Sequence, residues 1–267
     1  MDKIKVKKKI RSKVIALYVL VACIFIGLLL IAVSDTKKQT IDNVEVEETL
    51  QPVVINESKL DILKKTYEEN KKINSDYLGQ IYFDSGLIDL PFVQGTTNNT
   101  YMRTDWKTMQ YDVGGSIFME ASNNITSDQN VIIYGHNFAE NIDPSITKMF
   151  SPLRALMEQK NYEENKFIYL FLGDKIFKYE IVYVYSVKVL EEDNVQFLAD
   201  GEPFYDTTNF TSDEFKDYID KVKARQFYST GKEIEYADKM LTLQTCIDNQ
   251  LDKFVINAKL VENSLVK

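Results

Sequence analysis

The chain has 267 residues, 45% of them hydrophobic, so it can form a sizeable core and is not disordered throughout. Its formal net charge is −8, but residues 1–13 carry seven basic side chains and one acidic one. The remaining 25 basic and 39 acidic side chains give the rest of the chain a net charge of −14. An acidic body without a basic, aromatic-lined stripe repels a phosphate backbone, which excludes nucleic acid as a predicted partner.

The first predicted element is a membrane anchor. Residues 14–33 are twenty consecutive uncharged, mostly aliphatic residues, about the length that crosses a hydrocarbon core. Basic residues precede this run and acidic residues follow it, so the positive-inside rule predicts a cytoplasmic N-terminus at 1–13 and an extracellular remainder. A cleaved signal peptide is the alternative, because Ala32, Val33 and Ser34 resemble a cleavage site, but the length of the run favours a retained anchor.

A stalk and a folded domain are predicted to follow the anchor. Residues 34–57 are polar and show neither helical nor strand periodicity, which is typical of an extended connection. The domain is predicted over 58–267. It begins with a helix over 58–77, where Ser58 and Asp61 resemble a capping box and several apolar residues share one face.

Short strand-like runs dominate the rest of this domain. Gly, Asn and Asp turns separate them, which indicates a barrel or a sandwich and a mainly β fold with peripheral helices. Two helices are predicted to interrupt the strands, near 144–160 after Pro144 and near 212–226 with Ser212 as its cap. The predicted strands are 80–83, 90–93, 101–103, 116–119, 130–134, 167–172, 175–187, 241–246 and 253–261.

The sequence contains two cysteines, and Cys23 lies within the predicted anchor. The predicted outer domain therefore contains Cys246 alone and no internal disulfide. Such a thiol is a buried apolar group, a site of intermolecular pairing or a reactive nucleophile. Strand alternation places Leu241 and Leu243 on a core face, and Gln244 and Cys246 on the opposite, polar face. This placement favours a reactive thiol that points to a surface or groove.

The last two predicted strands flank a six-residue polar loop, 247–252, as in an antiparallel hairpin. Symmetric pairing about this loop places Lys253 opposite Cys246, with Cβ atoms about 5 Å apart. A cation at this distance favours thiolate over thiol and can stabilise negative charge on a substrate carbonyl oxygen. A solvated lysine at the end of a strand is the alternative interpretation.

His136 is the only histidine in the chain, so it is the only imidazole that could serve this thiol. It follows an apolar strand and Gly135, a place where functional loops often begin. Histidine titrates near neutrality and can pair with a thiolate or protonate a leaving amine. An incidental histidine is the alternative. One histidine and one outer cysteine support a metal site only weakly, and no Gly-rich phosphate loop supports a nucleotide, so no cofactor is predicted.

Four runs of residues resemble the sortase family. Residues 134–137, Tyr-Gly-His-Asn, and 242–246, Thr-Leu-Gln-Thr-Cys, are similar to the histidine and cysteine motifs of sortases. Residues 91–95 and 115–119 are similar to segments typical of class B sortases. The similarity spans about residues 58–262.

The resemblance implies an eight-stranded sortase β-barrel with an N-terminal helical extension, and a two-step acyl transfer outside the cell membrane. Cys246 would attack a threonine carbonyl in a sorting motif near the C-terminus of a secreted protein. His136 would protonate the departing amine and then assist an incoming amine, typically from a peptidoglycan precursor. Asn137, Gln244 and Thr245 lie within the matching motifs and are implied to bind substrate.

One departure from the family concerns the expected arginine after the cysteine. Lys253 takes its place, and none of the four arginines follows Cys246. Lysine supplies charge without the planar, bidentate guanidinium, so either activity is reduced or another residue completes the clamp. Arg225 is the candidate, with a solvated helix-end charge as its alternative. A noncatalytic peptide-binding domain and a hydrolytic cysteine peptidase are the competing functions.

Overall fold

The computed structural model describes residues 53, 55–138, 149–246 and 251–265. All of these residues belong to one compact unit, residues 50–267. No helix in this described part is both long and apolar enough to cross a bilayer. The predicted anchor at 14–33 and most of the predicted stalk lie outside the described residues.

Eight strands close a β-barrel, and two more form a separate hairpin. The strands are β1 (Tyr77–Tyr82), β2 (Asp89–Val93), β3 (Ile117–Met119), β4 (Asn130–Tyr134), β5 (Phe167–Phe171), β6 (Lys175–Val187), β7 (Val189–Glu192), β8 (Val195–Leu198), β9 (Met240–Cys246) and β10 (Lys253–Leu265). The barrel order is β1-β2-β3-β4-β9-β10-β6-β5, and β7 pairs with β8. The β2–β3 and β4–β9 pairs are parallel and the others antiparallel. This confirms the mainly β class and selects the barrel over the sandwich.

The barrel strands match the predicted ranges within a few residues, and β4 and β6 match at both ends. The predicted strand at 101–103 is wrong. Tyr101 is buried in a turn, and its carbonyl oxygen accepts a hydrogen bond from Ser116 N at 3.0 Å. Arg103 O likewise accepts one from Asp112 N, so these residues form a loop that folds back on itself before β3. The β7–β8 hairpin was not predicted.

Among the described residues, three α-helices lie outside the barrel: α1 (Glu57–Ile73), α2 (Tyr162–Asn165) and α3 (Ser212–Lys223). The predicted capping box of α1 is wrong, because the cap is Asn56, whose side-chain oxygen accepts a hydrogen bond from Ser58 N. Asn74 is extended and ends the helix, so Tyr77, predicted to be helical, begins β1 instead.

Helix α3 lies within the predicted range but has a different cap. Thr211, rather than Ser212, caps it, and Thr211 and Glu214 exchange the two hydrogen bonds of a capping box. The apolar face predicted for this helix is buried as a unit, and it consists of Phe215, Tyr218, Ile219 and Val222. The helix therefore docks through one stripe of side chains.

The predicted helix near 144–160 differs from the structure in the part that is described. Residues 151–157 and 159–161 form two 3₁₀ segments, followed by the single turn of α2. Glu158 is extended between them, which interrupts the helical path. Leu153 and Leu156 nevertheless pack into the barrel core. The segment therefore buries one face, as the predicted helix would, but it is not one continuous helix.

Both faces of β9 are buried. Leu241 and Leu243 point into the barrel core as predicted, whereas Met240 belongs to a second apolar cluster where α3 covers β6, β9 and β10. The polar face predicted to point to a surface or groove does so at Gln244 and Cys246, which line a cavity, whereas Thr242 on the same face is fully buried. Only the end of this strand, at Cys246, is partly exposed.

Gly115 holds the loop before β3 against the barrel. Its φ of +55° lies in the left-handed region that favours glycine. A Cβ at this position would collide with the backbone oxygen of Met102 and lie 2.6 Å from that of Tyr101. The close approach of two backbone segments therefore requires glycine here.

We expect Gly115→Ala to lower the free energy of unfolding by about 2–4 kcal/mol, because it adds a backbone collision to the strain of a positive φ. Gly86→Ala is the matched control. Gly86 has a φ of +80° but open space around its Cβ position, so its loss should be about 1–2 kcal/mol. Urea denaturation of both variants measures the difference, and equal losses would contradict the assigned collision.

Candidate active site

Cys246 and Lys253 face each other across the last hairpin. Cys246 ends β9, Lys253 begins β10, and the two are direct partners in the antiparallel ladder, as predicted. Lys253 Nζ lies 3.4 Å from Cys246 Sγ. An ammonium group at this position can stabilise negative charge that develops on a reacting carbonyl oxygen next to the sulfur. The sulfur is therefore placed as a nucleophile rather than as a packed core group.

His136 approaches the same point from the neighbouring strand. Tyr134, the last residue of β4, is the parallel partner of Gln244 on β9. Gly135 N then donates a hydrogen bond to Gln244 O at 3.1 Å, which continues the ladder past the end of β4. His136 and Cys246 each lie two positions beyond the Tyr134–Gln244 pair, and both side chains line one cavity.

The imidazole of His136 is oriented by a backbone contact. Its Nε2 lies 2.8 Å from Met102 O. A carbonyl oxygen can only accept a hydrogen bond, so Nε2 carries the proton in the neutral ring and Nδ1 is the nitrogen that can accept one. The His136 carbonyl is held in turn, because Phe150 N donates to it at 3.0 Å.

The surroundings of His136 favour the neutral imidazole. Burial lowers its pKa below the ordinary value of 6.5. The hydrogen bond to Met102 opposes this shift, whereas the positive charges of Arg103 and Lys253 add to it. At neutral pH the ring can therefore accept a proton from the thiol, and the imidazolium that forms is a ready proton donor.

A cavity of about 430 Å³ surrounds these groups. Its lining residues are Asn98, Met102, Arg103, Phe118, Tyr134, Gly135, His136, Gln196, Tyr205, Asp206, Gln244, Cys246 and Lys253. A second cavity of about 610 Å³ adjoins it along the β7–β8 hairpin and shares Gln196, Tyr205, Asp206 and Lys253. The thiol thus lies beside a surface depression large enough for several residues of a peptide.

Metal ligands are not grouped in the described part of the chain. No set of three or more His, Cys, Asp or Glu side chains there is arranged to hold a metal ion. The site chemistry available to these residues is that of a thiol, an imidazole and an ammonium group.

A family model for the Sortase domain matches residues 83–261, which include every group described above at this cavity. The chain belongs to the sortase family. The matched region contains seven of the eight barrel strands, all but β1, and lacks only the last residues of β10.

This sortase has relatives named Sortase B. The Sortase B of Staphylococcus aureus is 27% identical over 207 residues, which cover 76% of this chain and 77% of the relative. The Sortase B of Listeria monocytogenes is 29% identical over 195 residues, which cover 72% of each chain.

Solved sortase B structures share the fold. The Staphylococcus aureus sortase B–substrate complex aligns with a TM-score of 0.62 at 22% identity, covering 77% of this chain and 92% of the other. Clostridium perfringens Sortase B aligns with a TM-score of 0.60 at 25% identity, covering 73% of this chain and 99% of the other. The predicted eight-stranded sortase barrel is confirmed.

The predicted substrate-binding residues of this sortase occupy different places. Gln244 lines the cavity, as expected. Asn137 is buried and donates a hydrogen bond from Nδ2 to Cys246 O at 2.7 Å, so it holds the strand end that carries the nucleophile. Thr245 is buried away from the cavity, and its Oγ1 has no hydrogen-bond partner in the described structure. Strand alternation turns it to the core face.

Arg225 lies outside the cavity around Cys246, which corrects its assignment as part of the clamp. Its Nε is 2.7 Å from Glu202 Oε2, and its Nη2 donates to Gly201 O at 2.9 Å. Arg225 therefore ties the end of α3 to the segment after β8. It is neither at the site nor the solvated charge of the alternative interpretation.

Several cavity residues were missed by sequence reasoning. Arg103 comes from the loop that was predicted as a strand, and Gln196 from the unpredicted β8. Tyr205 and Asp206 lie on the segment between β8 and α3, and Asp206 is exposed at the cavity. None of these residues belongs to the motifs quoted for the histidine and the cysteine, so only the folded path of the chain reveals them.

We expect His136 to titrate below 6.5 in the untagged full chain, where it gives a single imidazole signal in ¹H–¹³C NMR. Arg103→Gln and Lys253→Gln should each raise this pKa, because each removes a nearby positive charge. Lys107→Gln removes an exposed cation that does not line the cavity and serves as the control. A wild-type pKa of 6.5 or above would show that burial and these charges do not act on the ring.

Proposed function

We propose that this protein is a class B sortase, a cysteine transpeptidase that cleaves a C-terminal sorting motif of secreted proteins and transfers the acyl group to a cell-wall amine. One observation carries the proposal: Cys246 Sγ lies 3.4 Å from Lys253 Nζ, in a cavity that His136 also lines. A thiol, a cation and an imidazole are the groups that acyl transfer through a thioester requires. The two relatives named Sortase B support the class assignment.

The first step forms a thioacyl enzyme. His136 takes the proton of the Cys246 thiol, and the sulfur attacks the peptide carbonyl carbon to form a C–S bond. Negative charge develops on the carbonyl oxygen, where the ammonium of Lys253 stabilises it. The C–N bond then breaks, and the proton passes from the imidazolium to the departing amine. A His136 pKa lowered by burial assists this last transfer, because a weakly basic imidazole releases its proton readily.

The second step regenerates the enzyme. The nitrogen of an incoming amine attacks the thioacyl carbon and loses a proton to neutral His136. The C–S bond breaks, the peptide bond to the acceptor remains, and the thiolate leaves beside Lys253. The proton held by the imidazole then returns to the sulfur or to solvent. Water in place of the amine would make the same site a hydrolytic peptidase.

Solved relatives indicate the kind of substrate. They include a sortase B–substrate complex from Staphylococcus aureus and a sortase B complexed with triglycine. We assign an extended peptide donor to the cavity around Cys246 and a glycine-type or related amine as acceptor. The proposed partners are therefore secreted proteins with a sorting motif and the amine of a peptidoglycan precursor.

The proposed place of action is the outer face of the cell membrane. The uncharged run 14–33 after a basic cluster supports a single-pass anchor with a cytoplasmic N-terminus.

We expect Cys246→Ala to abolish turnover while leaving the fold intact. Intact-protein and peptide mass spectrometry of the full chain with a panel of sorting-motif peptides, with and without triglycine, measures this. The wild type should gain a peptide mass at Cys246 and release a triglycine adduct. Turnover by Cys246→Ala would sink the assignment of the nucleophile, and release of free acid alone would favour the hydrolytic peptidase.

We expect Lys253→Ala to lower kcat/KM by about 100-fold, because it removes the charge next to the sulfur and the developing oxyanion. Lys253→Arg keeps the charge and should stay within about tenfold of the wild type. Steady-state cleavage of the best peptide in the panel compares them, and unfolding curves serve as the stability control. Wild-type rates for both variants would remove Lys253 from the mechanism.

A further inference from the structure

One arginine of the described chain lines the cavity around Cys246, and it comes from a part of the chain distant from the cysteine motif. Arg103 lies in the loop between β2 and β3, exposed at the cavity that Cys246, His136 and Lys253 also line. Its charge acts on His136, whose pKa it lowers. Because Arg103 lines the same cavity as the reacting groups, its guanidinium can contact a substrate bound there.

The backbone holds Arg103 in this position. Arg103 O accepts a hydrogen bond from Asp112 N at 3.0 Å, and Nη1 donates to Val113 O. The preceding residue, Met102, contacts the imidazole of His136 through its carbonyl oxygen. Met102 and Arg103 are adjacent in the chain, so the same loop positions both the imidazole of His136 and the guanidinium.

Most of the guanidinium remains available for a ligand. Arginine has five N–H donors, and Val113 O uses one of them. Arg103 forms no ion pair with any carboxylate in the described structure, in contrast to Arg225, which is engaged by Glu202. A planar group with unused parallel donors is suited to carbonyl oxygens of an extended peptide.

Lys253 alone does not supply a planar group that binds peptide carbonyl oxygens. Its ammonium is a point charge beside the sulfur, which suits the thiolate and the oxyanion. It cannot hold peptide oxygens with two parallel N–H bonds, as a guanidinium can. Resting on the proposed function, we propose that Arg103 is a catalytic residue that binds backbone carbonyl oxygens of the donor peptide, dividing with Lys253 the work of a single arginine.

This division predicts separable kinetic effects. Arg103 binds the peptide before and during the reaction, so Arg103→Gln should raise KM more than it lowers kcat, with kcat/KM reduced by about 10- to 100-fold. Arg103→Lys keeps the charge without the planar donors and should recover only part of the loss. Lys107→Gln, an exposed cation of the same loop outside the cavity, should leave both constants unchanged.

The deciding variant is the double mutant Arg103→Gln/Lys253→Arg. It restores a guanidinium beside Cys246 and should regain at least about tenfold in kcat/KM over Arg103→Gln, a difference of about 1.4 kcal/mol. If Arg103 merely holds the loop through Val113, the double mutant gains nothing and both proteins lose stability in urea. That result, or an Arg103→Gln enzyme within twofold of the wild type, would overturn the proposal.

A binding measurement separates this proposal from the proposed function. The affinity for each peptide of the sorting-motif panel is measured by calorimetry in Cys246→Ala and in Cys246→Ala/Arg103→Gln, neither of which needs turnover. A Kd that rises about tenfold or more in the second protein supports the role of Arg103 even where the wild type shows no transpeptidation. Equal Kd values overturn it even where the wild type is an active sortase.

Discussion

Strand β9 is hydrogen-bonded in parallel to β4 and in antiparallel fashion to β10, and these two registers decide which side chains meet. They pair Tyr134 with Gln244 and Lys253 with Cys246. Because strand side chains alternate between faces, a slip of one residue in the β9–β10 ladder would send the thiol and its cation to opposite sides. A slip in the β4–β9 ladder would displace His136 from the thiol. Leu241 must face the barrel core, which pins the register. The packing of the barrel interior thereby determines which reactive side chains meet at the end of the strands.

A buried chain of polar side chains reinforces this arrangement on the outer face of the barrel. Tyr218 of α3 donates to Asn257 of β10, Asn257 donates to Thr242 of β9, and Thr242 donates to Asn130 of β4. Asn130 Nδ2 then donates to Thr207 O, just after the two cavity residues of that segment. Satisfied polar groups in a buried setting hold one geometry firmly. The cavity wall is therefore joined to the strands that carry the nucleophile and its cation.

Sequence reasoning reached the parts of this site that short-range geometry determines. Loop length set the pairing of Lys253 with Cys246, and apolar runs located the barrel strands. It failed where tertiary packing decides the path. The acid-rich β7–β8 hairpin is buried only at Val189, which is too little to create an alternating pattern. Tyr101 is buried by a loop rather than a strand. Sequence reasoning named Arg225 as the candidate arginine, but the cavity is lined by Arg103. Neither arginine lies near the cysteine in sequence, so only the folded path of the chain distinguishes them.

The site is complete only when β10 has joined the barrel. Asn137 and Cys246, bonded across the rim, are 109 positions apart, and β10 lies between β9 and β6 in the finished barrel. Until β10 has been synthesised, β6 and β9 each present an unpaired edge, and the sulfur lacks its cation. Such edges invite pairing with other chains, and distant contacts form slowly. A chain that lacks β10 therefore lacks both the closed barrel and the pairing of Lys253 with Cys246.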